Sequence, residues 1–306
     1  MGMILPTLFT GGTGLIGRQI IDLLKAKNYP LRNLSRQAAT LAGVEHFAWD
    51  TTRHQLDPKA LVGTGAIIHL AGAGVADSRW TEARKKEILD SRVHATRLLA
   101  ESLKNHPHSV KTLVAASAIG FYGGDKGAAW CDENTPPGSD FLAQVTQAWE
   151  AEVDTLAELG LRVVKLRIGI VLSREGGALP KLVQPIRYGA GAALGSGQQY
   201  LAWIHIRDLA RMFVYALENE ALTGTYNAVG PDPVTNAQMT KEAARVLQRP
   251  LLLPNVPAFA LRLMLGEMAE MVLGGCRVRN DKMMQAGFQY DFPHLPGALE
   301  DLLKPH

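Results

Sequence analysis

The chain has 306 residues, of which 47% are hydrophobic and 20% are charged, and its formal net charge is +3. This length and balance are those of an ordinary globular protein with one large or two modest domains, and they exclude a wholly disordered chain. The weak net charge, without any run of five Lys or Arg residues, argues against a nucleic-acid partner, and the lack of an apolar stretch of about 18 residues argues against a membrane span.

Short apolar runs alternate with longer amphipathic stretches in the first half of the chain. The apolar runs predict buried strands, and apolar residues at helical spacing predict the helices between them. The predicted strands are 4–9, 31–34, 44–49, 66–70, 111–116 and 162–172, and the predicted helices are 15–26, 81–105 and 140–159. Strands and helices that alternate in this way build a parallel sheet with helices on both faces. The predicted fold class is α/β, a Rossmann-like doubly wound parallel sheet with a small C-terminal α/β lobe.

The regular pattern fades after residue 172, where clusters of Gly and Pro mark loops. We therefore predict a Rossmann-like domain over 1–172 and a smaller, interleaved lobe on the substrate side over 173–306. An apolar helix is expected over 258–273. Met264, Met268 and Met271 fall at spacings of four and three on it, which predicts one apolar face, buried or at a subunit contact. A homodimer through such a face is left open.

The cysteines and the N-terminus bear on the compartment. Cys131 and Cys276 are far apart in the sequence and show neither CxxC nor Cys/His ligand spacing, which predicts no metal site and no disulfide framework. The N-terminus has no basic n-region and runs straight into a strand-like segment, so no signal peptide is expected. The default expectation is a soluble cytoplasmic protein.

A glycine-rich turn joins the first predicted strand to the first predicted helix. Its glycines fall at Gly11, Gly14 and Gly17. In a phosphate-binding turn, the first glycine permits the tight turn, the second lets backbone N–H groups approach a pyrophosphate, and the third lets helix and strand pack closely. The positive end of the helix dipole adds to the attraction of phosphate. The residues predicted to hold the cofactor here are Gly11, Gly12, Thr13, Gly14, Leu15, Ile16 and Gly17.

The end of the second strand indicates which dinucleotide is bound. An Asp or Glu at this place normally holds the ribose 2′-hydroxyl of NAD, but here the strand ends in Leu34-Ser35-Arg36. A hydroxyl and a guanidinium without a competing carboxylate suit a 2′-phosphate, which predicts NADP(H). Arg36 could instead be a solvated loop residue. Asp50, after the third strand, could face the adenine or belong to a turn.

Several motifs resemble the extended short-chain dehydrogenase/reductase superfamily, and within it the atypical epimerase family of the NAD-dependent epimerase/dehydratase superfamily. The superfamily motifs are the glycine pattern, His69-Leu70-Ala71-Gly72 after the fourth strand and Phe121-Tyr122-Gly123 after the fifth. The family's own motifs are Arg79-Trp80, Ser91-Arg92, Arg167 to Leu172, Gly195 to Tyr200, Trp203 to Ile206, Leu265-Gly266-Glu267, Leu273-Gly274 and Ala286-Gly287-Phe288. The resemblance covers essentially the whole chain, with the family's C-terminal helical segment at 250–303.

This resemblance implies a domain that binds NADP(H) and a C-terminal lobe that closes a pocket beside it. Ser35 and Arg36 would hold the 2′-phosphate. The further cofactor residues that the resemblance implies are Leu70, Ala71 and Gly72 beside the ribose, Arg92 at the phosphates and Val171 at the nicotinamide end. Arg92 could equally be an ordinary residue of the helix surface.

The superfamily's acid/base pair is missing from the helix that should carry it. That pair is a Tyr with a Lys four residues later, because a phenol with a pKa of about 10 needs a nearby cation to act near neutral pH. The predicted helix 140–159 contains neither residue type. Anchored on Glu150, which resembles the superfamily's acid four residues past the Lys, Leu142 stands at the Tyr position and Thr146 at the Lys position. A register shifted by one places Phe141 and Val145 there.

The catalytic residues are therefore unknown, with three weak candidates. Ser117 lies one place before Ala118, the superfamily's Ser/Thr position, and an adjacent strand residue points to the opposite face. His205 is the group that titrates nearest to neutral pH, although a structural histidine beside Asp208 is the favoured interpretation. Tyr122 is favoured as a packing and hydrogen-bonding residue.

Two hypotheses from different classes follow. The first is an NADP-dependent epimerase or oxidoreductase of the atypical short-chain class, of nucleotide-sugar type, which acts on an unknown small molecule without the usual Tyr and Lys. The alternative is a non-catalytic NADP-sensing protein that acts through a protein partner, by analogy with a plant relative associated with plastid division. Turnover with a small molecule would favour the first, and nucleotide-dependent partner binding without turnover would favour the second.

Overall fold

The computed structural model describes residues 4–36 and 41–304. The strands are β1 (Thr7–Thr10), β2 (Leu31–Ser35), β3 (Glu45–Asp50), β4 (Gln55–Leu56), β5 (Ala66–His69), β6 (Thr112–Ala118), β7 (Trp130–Cys131), β8 (Arg162–Ile168), β9 (Ile170–Leu172), β10 (Tyr200–Leu201), β11 (Trp203–His205), β12 (Gly224–Ala228), β13 (Val234–Thr235) and β14 (Arg277–Val278). The α-helices are α1 (Leu15–Ala26), α2 (Glu82–Asn105), α3 (Phe141–Asp154), α4 (Ala178–Arg187), α5 (Ile206–Glu218), α6 (Asn236–Val246), α7 (Ala258–Leu265), α8 (Glu270–Leu273), α9 (Asp281–Gln285) and α10 (Leu295–Leu303).

The large sheet has the strand order β12-β8-β6-β5-β1-β2-β3-β4. Its neighbouring strands are parallel, except that β4 is antiparallel to β3. From β1 the chain moves outward through β2 and β3, then returns beside β1 with β5 and moves the other way through β6, β8 and β12. In open α/β sheets, ligands bind at the carboxyl ends of the strands where the direction reverses in this way. The predicted doubly wound parallel sheet is confirmed.

The core lies between this sheet and two helical layers. β1 is buried along its whole length, and Leu8, Ile68 and Leu113 of three neighbouring strands are fully buried. Such strands are covered on both faces, as parallel strands usually are. α1 packs beside α5, and α2 packs beside α3. Helices α2 and α3 begin at polar caps: the Thr81 side chain accepts a hydrogen bond from Arg84 N at the start of α2, and the Asp140 side chain accepts one from Ala143 N at the start of α3.

Helix α1 has the predicted bounds, but two other predicted elements are each broken at a glycine. The predicted strand 162–172 is divided into β8 and β9 at Gly169, where a Cβ would lie 2.3 Å from the Ala202 carbonyl oxygen. The chain leaves the main sheet there, and β9 pairs with β11. The predicted helix 258–273 is divided into α7, a 3-10 turn and α8 at Gly266, which has a φ of +61°. This left-handed conformation ends a helix and favours glycine.

The break at Gly266 also makes the prediction of one methionine face wrong. Met264 is exposed at the end of α7, whereas Met271 lies in α8 and lines a cavity described below. Besides Met264, the exposed apolar residues of α7 are Phe259 and Leu263, one turn apart, at 73% and 80% of their full exposure. An apolar face of this kind is typical of a contact surface, and the homodimer stays a prediction.

Segments after residue 172 contribute both to the main sheet and to a second apolar cluster. β12 forms the edge of the main sheet, whereas α4, α6 and α10 pack around the buried Trp203, whose Nε1 donates to the Asp232 carbonyl at 2.7 Å. The boundary predicted at residue 172 therefore stays a prediction. Cys131 and Cys276 are both buried and free. Among the described residues, no helix is long and apolar enough to cross a membrane.

Candidate functional site

The glycine-rich turn between β1 and α1 is packed too closely for side chains. Gly11 has a φ of +72°, and a Cβ there would lie 3.0 Å from the carbonyl carbon and oxygen of Leu70. A Cβ on Gly17 would lie 2.6 Å from the Gly11 carbonyl oxygen. Real Cβ atoms essentially never approach as closely as 2.6 Å, and residues with a side chain rarely adopt a φ of +72°, so both positions favour glycine. The turn is closed by a hydrogen bond from Gly14 N to Gly11 O at 3.0 Å.

The turn presents the start of α1 to the carboxyl edge of the sheet. The N-cap residue of α1, Gly14, is exposed and has no side chain to cap the helix, and the first turn carries no acidic residue. The first N–H groups of a helix have no partner within the helix, and the helix dipole places partial positive charge on them. The arrangement can therefore hold an anionic group beside Thr13, Leu15 and Ile16.

Strand β2 both supports this turn and leads to the predicted 2′-phosphate residues. The Oδ1 atom of Asn33 accepts a hydrogen bond from Gly12 N at 3.1 Å, a contact that the sequence analysis missed. Ser35 ends β2 and is partly buried, whereas Arg36 follows it and is exposed. Asp50, for which two interpretations were open, belongs to a turn, because its Oδ1 accepts from Thr52 N at 2.8 Å and from Arg53 N at 3.1 Å.

A buried hydrogen-bond network fixes the backbone opposite the turn. Thr96 Oγ1 donates to the Arg92 carbonyl at 2.8 Å, so it can only accept from His69 Nε2, 2.9 Å away. His69 Nδ1 then accepts from Thr10 Oγ1 at 2.7 Å. The Thr10 oxygen in turn accepts from the backbone N–H groups of Leu70 and Ala71, at 3.1 and 3.2 Å.

In this network every proton has an assigned acceptor, which requires the neutral Nε2–H tautomer of His69. Burial lowers the pKa of His69 to about 4, so the ring stays neutral near pH 7. The network therefore holds the backbone of Leu70 and Ala71 at the place where the resemblance predicts the cofactor ribose.

A cavity of about 750 Å³ lies at the carboxyl ends of β6 and β8, at the same edge of the sheet as the turn. Its walls come from the ends of β6 and β8, from α3, and from the segment of α7, the 3-10 turn and α8. The apolar and aromatic residues among its walls are Val75, Trp80, Ile119, Phe141, Leu142, Val145, Trp149, Ile168, Ile170, Leu201 and Met271. Trp80 and Phe141 meet edge to face with ring centroids 5.0 Å apart. The C-terminal segment therefore encloses an apolar, aromatic space.

In the register anchored on Glu150, the positions that the resemblance assigns to the acid/base pair lie on the wall of this cavity, and Phe141 and Val145 of the shifted register line it as well. Leu142 and Thr146 both line it, and both lie against Gly120, where a Cβ would be 3.3 Å from the Leu142 Cβ and 3.6 Å from the Thr146 hydroxyl. The Thr146 hydroxyl donates to the Leu142 carbonyl at 2.7 Å. Ala118, at the Ser/Thr position, also lines the cavity. None of these three side chains can exchange a proton with a ligand by the superfamily's route.

The acidic residues that line the cavity each contact another group of the protein, and the partner of Glu270, Arg262, lines the cavity as well. Asp140 caps α3 through Ala143 N at 3.0 Å. Glu267 pairs with Lys85, and the Oε1 atom of Glu270 lies 3.3 Å from Nε of Arg262. These contacts leave the inner walls of the cavity mainly apolar.

Arg92 is the cofactor residue predicted on α2, and the structure places it on the cavity wall rather than on the outer surface. Its guanidinium carbon lies 5.1 Å from the centre of the Trp149 ring. A Cβ on Gly72 would lie 3.1 Å from the same carbon, so the glycine makes room for the guanidinium. Val171, predicted at the nicotinamide end, lies in β9 beside Ile170, and Ile170 rather than Val171 lines the cavity.

The catalytic candidates Ser117 and Tyr122 lie outside the cavity wall, in a buried network around Arg167. The Ser117 hydroxyl donates to Glu150 Oε1 at 2.6 Å, and Arg167 forms two hydrogen bonds with the same carboxylate, both of 2.8 Å. The Tyr122 hydroxyl donates to Asn227 Oδ1 at 2.6 Å and accepts from Arg167 at 3.2 Å. Burial raises the pKa of Tyr122 to about 12. The hydroxyl groups of Ser117 and Tyr122 therefore both form hydrogen bonds with other side chains of the protein.

His205, the third candidate, lies at the start of α5. Its Nδ1 atom accepts from Arg207 N at 3.1 Å, its Nε2 atom lies 3.2 Å from Asp301 Oδ2, and its ring stacks on Phe292 at 3.8 Å. Burial lowers its pKa although Asp301 and Asp208 act in the opposite direction. This geometry is that of the structural histidine considered above, and His205 is absent from the cavity walls. Among the described residues, no group of three or more His, Cys, Asp or Glu side chains could hold a metal ion.

Comparisons with known proteins agree with this architecture. Residues 7–229 match the model of the NAD dependent epimerase/dehydratase family, and residues 256–302 match a domain of unknown function, DUF1731. The epimerase family protein SDR39U1 homolog, chloroplastic, of Arabidopsis thaliana is 36% identical over 301 residues, which cover 96% of this chain and 86% of that protein. Epimerase family protein YfhF of Bacillus subtilis (strain 168) is 35% identical over 296 residues, 96% of each chain.

Solved structures give the same result. The crystal structure of the human epimerase family protein SDR39U1 (isoform 2) with NADPH has a TM-score of 0.86 and 31% identity, and the match covers 97% of this chain and 99% of that one. A UDP-N-acetylglucosamine 4-epimerase from Bacillus cereus, 20% identical with a TM-score of 0.77 over 97% of this chain and 98% of that one, shares the fold. The chain belongs to the NAD-dependent epimerase/dehydratase family.

Proposed function

We propose that the protein binds NADP(H) at the carboxyl edge of its sheet. The observation that carries the proposal is the turn at Gly11, Gly14 and Gly17, whose backbone packs too closely for a side chain at Gly17 and leaves the N-terminus of α1 without a side-chain cap. The human relative crystallised with NADPH supports the same nucleotide. Arg36, exposed after β2, would supply a charge for the 2′-phosphate. The residues proposed to hold the cofactor are Gly11, Gly12, Thr13, Gly14, Leu15, Ile16, Gly17, Ser35, Arg36, Leu70, Ala71, Gly72, Arg92 and Val171.

The test is a calorimetric titration of NADPH and NADH into the wild type and Arg36→Ala. We expect tight NADPH binding that Arg36→Ala weakens by about 1–3 kcal/mol, the value of a charge-assisted contact. Arg53→Ala is the matched control, because Arg53 is an exposed arginine beyond the next strand. Equal affinity for both nucleotides in the wild type would contradict the assignment of Arg36.

We further propose that the reaction is an oxidation or reduction rather than a nucleotide-sugar epimerisation. Bound NADPH would supply a hydride. Epimerisation through a sugar ketone needs a base that removes a hydroxyl proton, and Ala118, Leu142 and Thr146 provide none at the superfamily's positions. A quinone-type acceptor needs no such group in the hydride step. Its reduced anion is a phenolate, whose conjugate acid has a pKa of about 10, whereas that of an alkoxide is near the value for water, about 16.

The apolar walls suit a planar conjugated acceptor of this kind. Trp80 and Phe141 provide aromatic surface for such an acceptor, and solvent water would protonate the reduced product. The assay measures NADPH oxidation with a naphthoquinone and, separately, the interconversion of UDP-hexoses. Reduction of the quinone supports the proposal, and UDP-hexose epimerisation without quinone reduction contradicts it. Tight NADPH binding with neither activity would favour the non-catalytic NADP sensor that acts through a protein partner.

A further inference from the structure

Two cysteines that lie far apart in the sequence come together beside the cavity. Cys131 ends strand β7, and Cys276 directly precedes strand β14, which pairs with β7 in parallel. Both cysteines are almost fully buried, and they share a small apolar cluster with Tyr122 and Val278. Cys276 also lines the cavity. The sequence contains no other cysteine, so within one chain these two thiols can pair only with each other.

The register of the two strands places both thiols on one face. Trp130 lies opposite Arg277, whose guanidinium carbon is 4.1 Å from the centre of the partly exposed indole ring. The next pair of the register is Cys131 and Val278, whose side chains point to the other face, because successive strand residues alternate. Cys276 precedes Val278 by two residues and therefore points the same way. The two thiols are diagonal neighbours on the buried face.

Backbone hydrogen bonds on both sides of the pair hold the two segments together. The Arg279 N–H donates to the Cys131 carbonyl at 2.8 Å, and the Lys126 N–H donates to the Gly275 carbonyl at 3.0 Å. Diagonal neighbours on adjacent strands have Cα atoms about 7–8 Å apart, whereas a disulfide usually spans about 4.4–6.8 Å. A movement of about 1 Å in one segment would therefore allow the two sulfur atoms to bond.

Burial determines how these thiols can react. It raises the pKa of Cys131 above the ordinary value and that of Cys276 to about 12, and each thiol also acts on the pKa of the other. The thiolate is therefore scarce at neutral pH, and the attack on an oxidant is slow. The equilibrium is a separate matter. A protein that stabilises a thiolate makes its disulfide easy to reduce, and this apolar cluster does the opposite.

We propose that Cys131 and Cys276 form a reversible disulfide that ties β14 to β7 at the wall of the cavity. The oxidant is a small disulfide of the glutathione class, which reaches Cys276 from the cavity. The Cys276 thiolate attacks one sulfur of glutathione disulfide and releases one glutathione. The Cys131 thiolate then attacks the Cys276 sulfur of the mixed disulfide and releases the second. Each protein thiol loses its proton, and two electrons pass to the two glutathione molecules.

Such a bond would brace the part of the chain that closes the cavity. β7 lies in the stretch that matches the epimerase/dehydratase model, and β14 lies in the stretch that matches DUF1731. The bond would close a loop of about 145 residues, which restricts the unfolded chain and so stabilises the folded one. Gly274, Gly275 and Cys276 all line the cavity, so this wall would move with the bond.

The test uses the full chain in glutathione buffers of graded ratio and needs no NADP(H). After equilibration, free thiols are alkylated in denaturant, and cross-linked peptides are identified by mass spectrometry without reduction. We expect the wild type to lose both thiols together within one chain. Oxidised and desalted, it should melt about 3–6 °C above the reduced protein. The matched control is the double variant Cys131→Ala/Cys276→Ala, whose melting temperature should be the same in both buffers.

The single variants test the order of the two steps. Cys131→Ala should retain glutathione on Cys276, because the second thiol that would displace it is absent. Cys276→Ala should stay reduced, since Cys131 is absent from the cavity walls. The reverse pattern would overturn attack from the cavity.

Three results would overturn the disulfide itself. The first is a wild type that keeps both thiols at equilibrium in oxidised glutathione. The second is a bond that forms only in urea concentrations that unfold the protein, and the third is a bond that joins two chains. An oxidised wild type that melts at or below the reduced protein would overturn the bracing of the cavity wall.

Discussion

Glu150 and Arg167 form a buried pair whose disruption should be among the most destabilising single changes in the molecule. Two hydrogen bonds of 2.8 Å join them, and Arg167 stacks on the Phe121 ring at 3.4 Å. Both side chains are almost fully buried. Removing one partner of such a pair leaves an uncompensated charge, which costs about 3–5 kcal/mol. Glu150→Gln should therefore destabilise the protein by about that amount.

The corresponding change in melting temperature follows from chain length. At about 2.1 cal/mol/K per residue, the unfolding entropy of 306 residues is about 0.64 kcal/mol/K. A loss of 3–5 kcal/mol then lowers the melting temperature by about 5–8 °C, which scanning calorimetry resolves. Glu152→Gln is the control on the same helix: it pairs with the half-exposed Arg97, and such pairs contribute about 1 kcal/mol or less.

The double variant Glu150→Leu/Arg167→Met makes the test sharper, because replacing a whole buried pair by apolar residues often restores stability. We expect it to melt above Glu150→Gln. A Glu150→Gln variant that melts within 2 °C of Glu152→Gln would refute the argument that breaking the buried Glu150–Arg167 pair leaves a costly uncompensated charge.

Acid should weaken the same pair. Burial alone would raise the pKa of Glu150, but the hydrogen bonds and charge of Arg167, together with Ser117 and Lys165, hold it below its ordinary value of 4.5. A carboxyl group with a lowered pKa stabilises the fold above the unfolded pKa, and this contribution is lost as the pH falls below about 4.5 through the folded value. The stability difference between the wild type and Glu150→Gln should therefore shrink in urea titrations below pH 4.5.

Three further predictions concern the edge of the sheet. Gly17→Ala should weaken NADPH binding at least tenfold in calorimetry, since its Cβ would displace the turn at Gly11, and unchanged affinity would contradict the packing argument. Because the pKa of His69 is lowered from 6.5 to about 4, the neutral ring stabilises the fold above pH 6.5. The free energy of unfolding should fall by about 3 kcal/mol as the pH falls from 6.5 to 4. In His69→Gln this decrease should be absent from the pH dependence of stability measured by urea unfolding. Thr146→Val should leave turnover within twofold, because the hydroxyl serves the Leu142 carbonyl, and a tenfold loss would show that it acts on substrate.

Local patterns were enough to predict the sheet and the glycine-rich turn between β1 and α1. The spacing of Gly11, Gly14 and Gly17 reports a backbone path that needs only a few consecutive residues. Helix α1 likewise follows from apolar residues on one face, with the predicted bounds. The breaks at Gly169 and Gly266 were missed because a glycine within an apolar run does not reveal which distant backbone approaches it.

The supports of the site could not be read from the sequence because they join residues far apart. Asn33 supports Gly12 across 21 residues, and Ser117 meets Glu150 across 33. His69 was quoted only as part of a motif, and the structure shows its ring bridging Thr10 and Thr96. For His205 and Tyr122 the alternative interpretations were a structural histidine and a packing tyrosine. The hydrogen bonds of both side chains agree with these interpretations.

This edge of the sheet has the glycine-rich turn of a dinucleotide site, whereas Leu142 and Thr146 stand at the positions that the resemblance assigns to the superfamily's Tyr and Lys. We expect these two replacements to be linked. A lysine at residue 146 could lower the pKa of a phenol at residue 142, but Leu142 has no such group. The buried charge of that lysine would then serve only to bind the dinucleotide. Arg92 reaches the wall of the cavity from α2, where Gly72 leaves room for its guanidinium and the Trp149 ring packs against it. Under the proposed function, a dinucleotide bound at this edge would face the apolar walls of the cavity, and solvent water would protonate the reduced product. The substrates are therefore expected among acceptors whose reduced anions persist until water protonates them.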